Sequence, residues 1–182
     1  MAFEDTLWTQ GQDNMSGLVG DLYWCPAEDV DMTSPPALDA DGVTVTGTIA
    51  LKALKKFFRI YHTRGTGKID DTMVGERDGK SFEVMCVFKF PGDTPEYVNL
   101  MKEGKNTPIL LIGKDAQGRQ RLVGMSLLNG SLSMDLPAYF DAETGTTGDQ
   151  ASSAKGHEIT VKAESNHPPL FYEGVIDVDE LT

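Results

Sequence analysis

The 182-residue chain has few of the residues that usually build catalytic or metal sites. Its three histidines, His62, His157 and His167, are too far apart to form a local metal-binding pattern. Its two cysteines, Cys25 and Cys86, lack the close spacing of a zinc site, which favours two reduced, buried thiols over a disulfide. No serine lies in the G-x-S-x-G pattern of a hydrolase. These shortages predict a protein that is not an enzyme and uses no metal or cofactor.

Long apolar runs and positive charge are also scarce. No run approaches the ~20 apolar residues that span a bilayer, and the N-terminus lacks the basic and apolar regions of a secretion signal. Asp and Glu number 28 against 16 Lys and Arg, which gives a net charge of −12. Such a surface repels nucleic-acid phosphates and anionic membranes. We therefore expect no membrane partner and no tight DNA binding, although a channel that lets DNA slide through would also be acidic.

The residues that the chain does have in quantity form turns and strands. Nineteen glycines accompany many Asp and Thr residues, and the length suits one domain. We predict a single mainly β domain over residues 1–182, an antiparallel β-sandwich or barrel with one flanking α-helix. A polar N-terminal arm is expected at about 1–17. Long loops are expected at about 27–42 and 141–155, the second of them mobile and exposed.

The clearest local pattern lies between Lys80 and Arg121. A strand from Ser81 to Phe90 alternates apolar and polar residues, which predicts one buried face. That face comprises Phe82, Val84, Cys86, Phe88 and Phe90. A helix is predicted at about 93–103, with Asp93 and Glu96 as a capping box, and an apolar strand follows it.

The opposite face of the first strand is half apolar. Met85 and Val87 lie at its centre, between Glu83 and Lys89. A strand covered by a helix or by a neighbouring subunit has such a face. Met85 and Val87 are therefore candidates for a subunit interface.

Three stretches of the chain resemble the tail tube (major tail) proteins of long-tailed bacteriophages and prophages. Gly17–Val30 is similar to the opening strand and Pro-x-Glu-Asp turn of small virion proteins. Phe88–Arg121, with its Phe-Pro-Gly-Asp-Thr-Pro-Glu-Tyr helix start, resembles the strand–helix–strand unit of the family. Thr144–Gly174 resembles its late loop and strand. Together the three stretches cover about half of the chain.

The resemblance implies a β-sandwich or barrel with a flanking helix that assembles into hexameric rings, stacked as a hollow tube in the virion tail. The expected partners are further copies of the chain, other tail proteins such as the tape measure, and DNA as non-specific passing cargo. The protein would be made in the cytoplasm of the bacterial host. Glu83, Glu158 and Glu164 become candidates for charges at the lumen or its rim. The loop that joins successive rings stays open among 27–42, 62–80 and 141–155.

Two other functions remain open at this point. The chain could be a head–tail connector or tail terminator subunit of a virion. It could also be a surface β-sandwich module that binds carbohydrate, although the absence of a secretion signal argues against this function.

Overall fold

The computed structural model describes residues 13–149, 153 and 155–178. Most of the predicted N-terminal arm, residues 1–12, therefore lies outside the described residues, and residues 13–17 form no helix or strand. The described chain is mainly β with a single α-helix, as predicted. In chain order its elements are β1 (Leu22–Pro26), β2 (Thr44–Val45), β3 (Phe58–Ile60), β4 (Lys68–Val74), β5 (Ser81–Pro91), α1 (Pro95–Gly104), β6 (Ile109–Lys114), β7 (Gln120–Val123), β8 (Ser126–Leu128), β9 (Ser131–Ser133), β10 (Tyr139–Thr146), β11 (Gly156–Ser165) and β12 (Phe171–Tyr172).

Four long strands form an antiparallel sheet in the order β10-β11-β5-β4. Its inner face is the predicted apolar face of β5: Val84, Cys86 and Phe88 are buried there. Phe82 and Phe90, near the ends of the strand, are half-buried. Ile159 and Val161 of β11 extend this face, because they lie opposite Phe88 and Cys86 in the register.

A six-stranded sheet in the order β2-β12-β7-β6-β1-β3 packs against this inner face. Its pairs are antiparallel except for β2 and β12, which run parallel. The central strand β6 is buried on both faces, which explains its uninterrupted apolar run from Ile109 to Ile112. Ile109 and Leu111 face the four-stranded sheet, whereas Leu110 and Ile112 face a second core on the other side.

Irregular segments and the antiparallel β8–β9 hairpin cover the second core. The predicted loop 27–42 belongs to this cover: it begins with a short 3-10 turn, Ala27–Asp29, and is tied down by bridges from Val30 to Leu51 and from Leu38 to Val45. Val30 is buried in the second core. The predicted long loop is therefore present, and it is anchored on the sheet because its apolar residues shield the outer face of the six-stranded sheet.

The predicted loop 141–155 is shorter than expected. Strand β10 continues to Thr146 and pairs with β11 as far as Gly156. The connection between the two strands is therefore confined to 147–155. The register shifts at a β-bulge between Phe140 and Ala142. The rest of the strand shows no apolar alternation, because residues 141–146 are all exposed and none is a large apolar residue.

Helix α1 lies at one end of the core between the sheets. It begins one residue later than its predicted capping box requires: the N-cap is Thr94, whose Oγ1 accepts a hydrogen bond of 3.2 Å from the N–H of Tyr97. Tyr97 is buried and stacks on Phe90, with ring centroids 4.8 Å apart. Because Phe90 belongs to the inner face of β5, the helix leaves the outer face uncovered.

Besides their core packing, the two sheets are joined by a backbone contact between Ile109, at the start of β6, and Ala138, just before β10. Their backbones exchange two hydrogen bonds, of 2.7 Å and 2.9 Å. Gly124 lies beside this contact with a φ of +97°, and a Cβ there would be 2.6 Å from backbone atoms of both residues. We refer to the reciprocal Ile109–Ala138 contact as the seam.

Candidate assembly surface

All five residues singled out from the sequence lie on one surface, the outer face of the four-stranded sheet. Glu83, Met85 and Val87 alternate along β5, and Glu158 and Glu164 have the same parity on β11. The register places Glu83 opposite Glu164. A lumen role for the acids and an interface role for the apolar pair would therefore have to be fulfilled by the same face.

Lysines neutralise most of the acidic residues of this face. The ammonium group of Lys162 lies 2.8 Å from the carboxylate of Glu83, and that of Lys89 lies 3.2 Å from Glu158. Lys68 and Asp70 form a third ion pair. The hydrogen bond with Glu83, assisted by other nearby carboxylates, raises the pKa of Lys162. The net charge of −12 is thus not concentrated on this face.

Met85 and Val87 remain half-exposed at the centre of the face. Met85 lies between Asp70 and Lys162 in the register, and Val87 lies between Lys68 and Thr160. The methylene groups of the lysines can lie along these apolar side chains while their charged ends reach water. No helix of the described chain covers the pair, because α1 packs on the opposite side of the sheet.

Both lateral edges of the four-stranded sheet are open. Within the residues that the structure describes, β4 pairs with β5 alone and β10 pairs with β11 alone. Successive pairs are antiparallel, so the two edge strands run in opposite directions. Their outward N–H and C=O groups can each accept another strand. A hollow of about 400 Å³ next to β10 includes Tyr139, Lys162 and Glu164 in its wall.

The structure also assembles a polar network that the sequence did not reveal. His157 Nδ1 contacts Glu143 Oε1, and the hydroxyl of Tyr97 donates a hydrogen bond of 3.2 Å to the same oxygen. The rings of His157 and Tyr97 lie 4.2 Å apart, and Asp93 Oδ1 is 3.8 Å from His157 Nε2. Burial, followed by the charge of Glu143, raises the pKa of Tyr97. The network ties α1 to β10 and β11.

Gly145 is the one sequence feature that reflects this network, because its missing side chain leaves room for His157. It lies opposite His157 in the register, and a Cβ at this position would collide with the imidazole ring. The signal was missed because residue 143 was assigned to a loop. Its pairing with β11 is what brings the carboxylate of Glu143 to His157.

The other histidines and the cysteines have structural surroundings. His167 Nε2 accepts a hydrogen bond of 3.0 Å from the backbone N–H of Leu127, and His62 is buried with Nε2 3.4 Å from the carbonyl oxygen of Leu18. Cys25 and Cys86 are buried free thiols. Burial raises the pKa of each to about 12, which disfavours a reactive thiolate. No group of three metal-ligating side chains occurs among the described residues.

The protein is thus a β-sandwich with one flanking helix. Its four-stranded sheet has a polar outer face, and within the described residues both edges of this sheet are open. Comparisons with protein-family models, with curated proteins and with solved structures found no match. In the part of the chain that the structure describes, no helix is long and apolar enough to cross a membrane.

Proposed function

We propose that the chain is a tail tube subunit of a phage or prophage, which assembles into stacked hexameric rings that conduct DNA. The observation that carries the proposal is the four-stranded antiparallel sheet with two open edges. Its core face is sealed by the six-stranded sheet, so that growth is directed to the edges. The protein would then be a structural, non-enzymatic component of the virion tail, made in the host cytoplasm.

The strand directions favour joining between copies. Because the sheet has an even number of antiparallel strands, β4 and β10 run in opposite directions. The β10 strand of one copy can therefore add to β4 of the next as another antiparallel pair. Such a contact is heterologous, and heterologous contacts form rings when the rotation closes.

A ring of this kind would be wide enough for DNA. Six copies would contribute about 24 strands, and barrels of about 16–18 strands already enclose an aqueous channel. With about 24 strands ~4.8 Å apart and tilted by ~40°, the backbone of the barrel would be about 48 Å across. Side chains narrow this opening, but a DNA duplex still fits.

The outer face would then line the lumen. Its lysines are paired with acids, as in Lys162–Glu83 and Lys89–Glu158, so they offer few free cations to phosphates. Glu164 adds a negative charge opposite Glu83. Met85 and Val87 would lie in the same wall, and the subunit interface would lie at the strand edges. Such a surface suits DNA as passing cargo.

The two hairpins of the sheet suit contacts between rings. The β4–β5 turn, residues 75–80, lies at one end of the sheet, because Val74 pairs with Ser81. The β10–β11 connection starts and ends at the other end of the sheet, where Thr146 pairs with Gly156 and Gly156 with Pro91. In a stack, turn 75–80 of one ring would meet connection 147–155 of the next. A tape measure protein would occupy the lumen during assembly.

Disulfide trapping tests the joint between β4 and β10. In the double variant Thr72→Cys, Ala142→Cys, both thiols lie on the outer face, and Asp70→Cys with Ala142→Cys samples a neighbouring register. Within one copy the two edges are about 14 Å apart, too far for a disulfide. We expect oxidation to give a ladder of covalent oligomers up to the hexamer. Each single variant serves as a control: Cys25 and Cys86 are buried, so its one exposed thiol should give dimers at most.

Negative-stain imaging and light scattering on the purified protein complete the test. Tubes would support the tail tube assignment, whereas single rings that do not stack would favour a connector or terminator. A protein that stays monomeric at high concentration and gives no ladder would contradict the proposal.

A further inference from the structure

The turn before β3 exposes an apolar side chain. The N–H of Lys55 donates a hydrogen bond of 3.0 Å to the carbonyl oxygen of Lys52, which closes a tight turn. Leu54, the third residue of this turn, has a φ of +67° and is 101% exposed. Glycine or asparagine usually occupies such a position, because other side chains are strained at positive φ. A strained leucine that lies wholly in water gains nothing in the free chain and points to a contact with another molecule.

Two lysines flank this leucine. Residues 42–69 contain six Lys and Arg residues but no Asp or Glu, and Lys52 and Lys55 belong to this basic stretch. Among the described residues Lys52 forms no direct ion pair. The ammonium group of Lys55 lies 3.0 Å from the carboxylate of Asp29, but about half of the Lys55 side chain stays exposed. We call Leu54, Lys52 and Lys55 together the knob.

The hollow of about 400 Å³ beside β10 has the opposite charge. Apolar groups and carboxylates share its wall. The apolar groups are those of Leu136, Pro137, Tyr139 and Ala163, and the carboxylates are those of Asp135, Asp141 and Glu164. Lys162, the one cation of the wall, lies 2.8 Å from the carboxylate of Glu83 and pairs with it. Within the part of the chain that the structure describes, none of the three carboxylates of the wall forms a direct ion pair.

The knob and the hollow are complementary but do not meet within one copy. Leu54 is fully exposed, so it does not enter the hollow of its own chain. Tyr139 in the wall of the hollow is 43% exposed. A contact between two copies would remove both side chains from water and would bring lysines to carboxylates. The two halves of such a contact are present on every copy of the chain, which favours a second copy as the occupant of the hollow.

We propose that the knob of one copy inserts into the hollow of a second copy. Leu54 packs on Leu136, Pro137 and Tyr139, and the lysines of the knob pair with the carboxylates of the wall. The contact joins two different surfaces, so it links copies either as a reciprocal pair or as a repeating series. It uses neither edge of the four-stranded sheet and does not depend on the tail tube assignment.

Disulfide trapping between two variants of the full chain tests the contact. Ala53→Cys places a thiol in the exposed turn and keeps Leu54 in position, and Leu136→Cys places one in the wall of the hollow. The native thiols, Cys25 and Cys86, are buried. One variant carries a tag, so that the mixed disulfide differs in mass from the two symmetric ones. We expect the mixed disulfide to form about tenfold faster than either symmetric product, because the contact raises the effective concentration of the two thiols.

Leu54→Gly separates the contact from folding. Glycine fits the positive φ of this position, so the variant should lose no stability in urea denaturation. Added to Ala53→Cys, it should slow mixed disulfide formation with Leu136→Cys about tenfold, because the buried leucine side chain is lost. Val98→Cys, at an exposed position on α1, replaces Leu136→Cys in the control and should react only at the rate of the symmetric products.

Charge is tested at the margin of the hollow. Asp135→Lys, in the copy that carries Leu136→Cys, should slow trapping several-fold, whereas Glu103→Lys, an equal change of charge on α1, should not. No preference for the mixed disulfide, or an unchanged rate with Leu54→Gly, would overturn the proposal. A mixed disulfide from a protein that gives no β4–β10 ladder would support the knob contact and contradict the tail tube proposal.

Discussion

The two sheets of this molecule have opposite relations to water. The six-stranded sheet is buried on both faces, between the sandwich core on one side and a cover of irregular segments on the other. The four-stranded sheet is buried on one face and half-exposed on the other. The first is built from short strands and the second from long ones: β5 has 11 residues, whereas β2 and β12 have two each.

The difference separates stability from assembly. Short strands whose pairs are distant in sequence need a packed layer on each face to stay in place, so the six-stranded sheet holds the fold together. In the other sheet, β4–β5 and β10–β11 are pairs of strands adjacent in the chain, and one buried face holds the two pairs together. Their second face and their edges remain available for contacts with other copies.

The largest expected effect is on the interior of the six-stranded sheet. Leu110 and Leu111 are neighbours with no exposed surface, but they enter different cores. We expect Leu110→Ala and Leu111→Ala each to lower the free energy of unfolding by about 3 kcal/mol, measured by urea denaturation. Val87→Ala on the outer face of the four-stranded sheet is the control and should cost less than about 1 kcal/mol. A small effect of Leu110→Ala alone would break the comparison, because the second core would then add little.

Each core contains one cysteine, so the reactivity of the two thiols reports how easily each core opens. Cys25 lies in the core covered by irregular segments, and Cys86 lies between the two sheets. We expect Cys25 to react with a thiol reagent faster than Cys86 in the native protein, because a cover of loops opens locally at a lower free energy than a sheet. Mass spectrometry on Cys25→Ala and Cys86→Ala, each with one remaining thiol, measures the two rates. Faster labelling of Cys86 would reverse the ranking.

The same two thiols should make the free energy of unfolding depend on pH. Burial raises the pKa of Cys25 and Cys86 from 9.0 to about 12 in the folded protein, with smaller contributions from Asp29 and Asp70. Between pH 9 and 12 the unfolded chain therefore releases these protons while the folded chain keeps them, so the stabilisation present below pH 9 is lost as the pH rises. Each Cys→Ala variant should show a shallower loss of stability over this range than the parent.

A smaller effect is expected at the start of α1, beside the four-stranded sheet. Thr94→Ala removes the side-chain acceptor of the Tyr97 N–H and should lower the free energy of unfolding by about 1 kcal/mol. Asp93→Ala is the matched control and should cost less, since Asp93 does not cap the helix. A larger loss for Asp93→Ala, again by urea denaturation, would assign the cap to the residue that the sequence favoured.

The smallest effect on stability is expected on the outer face of the four-stranded sheet. Replacing Glu83, Glu158 and Glu164 by Lys breaks exposed ion pairs, so each change should alter the free energy of unfolding by about 1 kcal/mol or less. We expect assembly to persist while DNA passage, measured as infectivity in a complementation assay, falls. Glu96, Glu103 and Glu173 changed to Lys provide a control with equal charge away from this face. Normal infectivity of the first variant would exclude a lumen role for these acids.

The sequence predicted the elements whose signals are local. Alternation identified β5 and the buried residues Val84, Cys86 and Phe88, and the helix was located to within two residues at its start. The cap was misassigned because Asp93 and Thr94 are both good N-cap residues. The apolar run of β6 predicted a strand, but burial on both its faces depends on distant segments.

The parts that escaped prediction depend on pairing between distant residues. β10 contains Asp141, Glu143 and Gly145, which have low strand propensity, and its register with β11 holds them in the sheet. The shared face of Glu83 and Glu158 could be derived within each strand but not between strands, because register is not local.

The seam at Ile109 and Ala138 has a mechanical consequence. Two hydrogen bonds fix the start of β10 to the start of β6, and Gly124 permits the close approach. A force that pulls along β10 is therefore transmitted to the six-stranded sheet through this contact. Such a force loads both hydrogen bonds at once. The seam resists sliding of one sheet over the other, and a separate hydrogen bond of 2.8 Å, from the N–H of Thr63 after β3 to the carbonyl oxygen of Lys89 in β5, joins the sheets elsewhere. A larger residue at position 124 would clash with Ile109 and Ala138 and would weaken the seam before it disturbed either sheet.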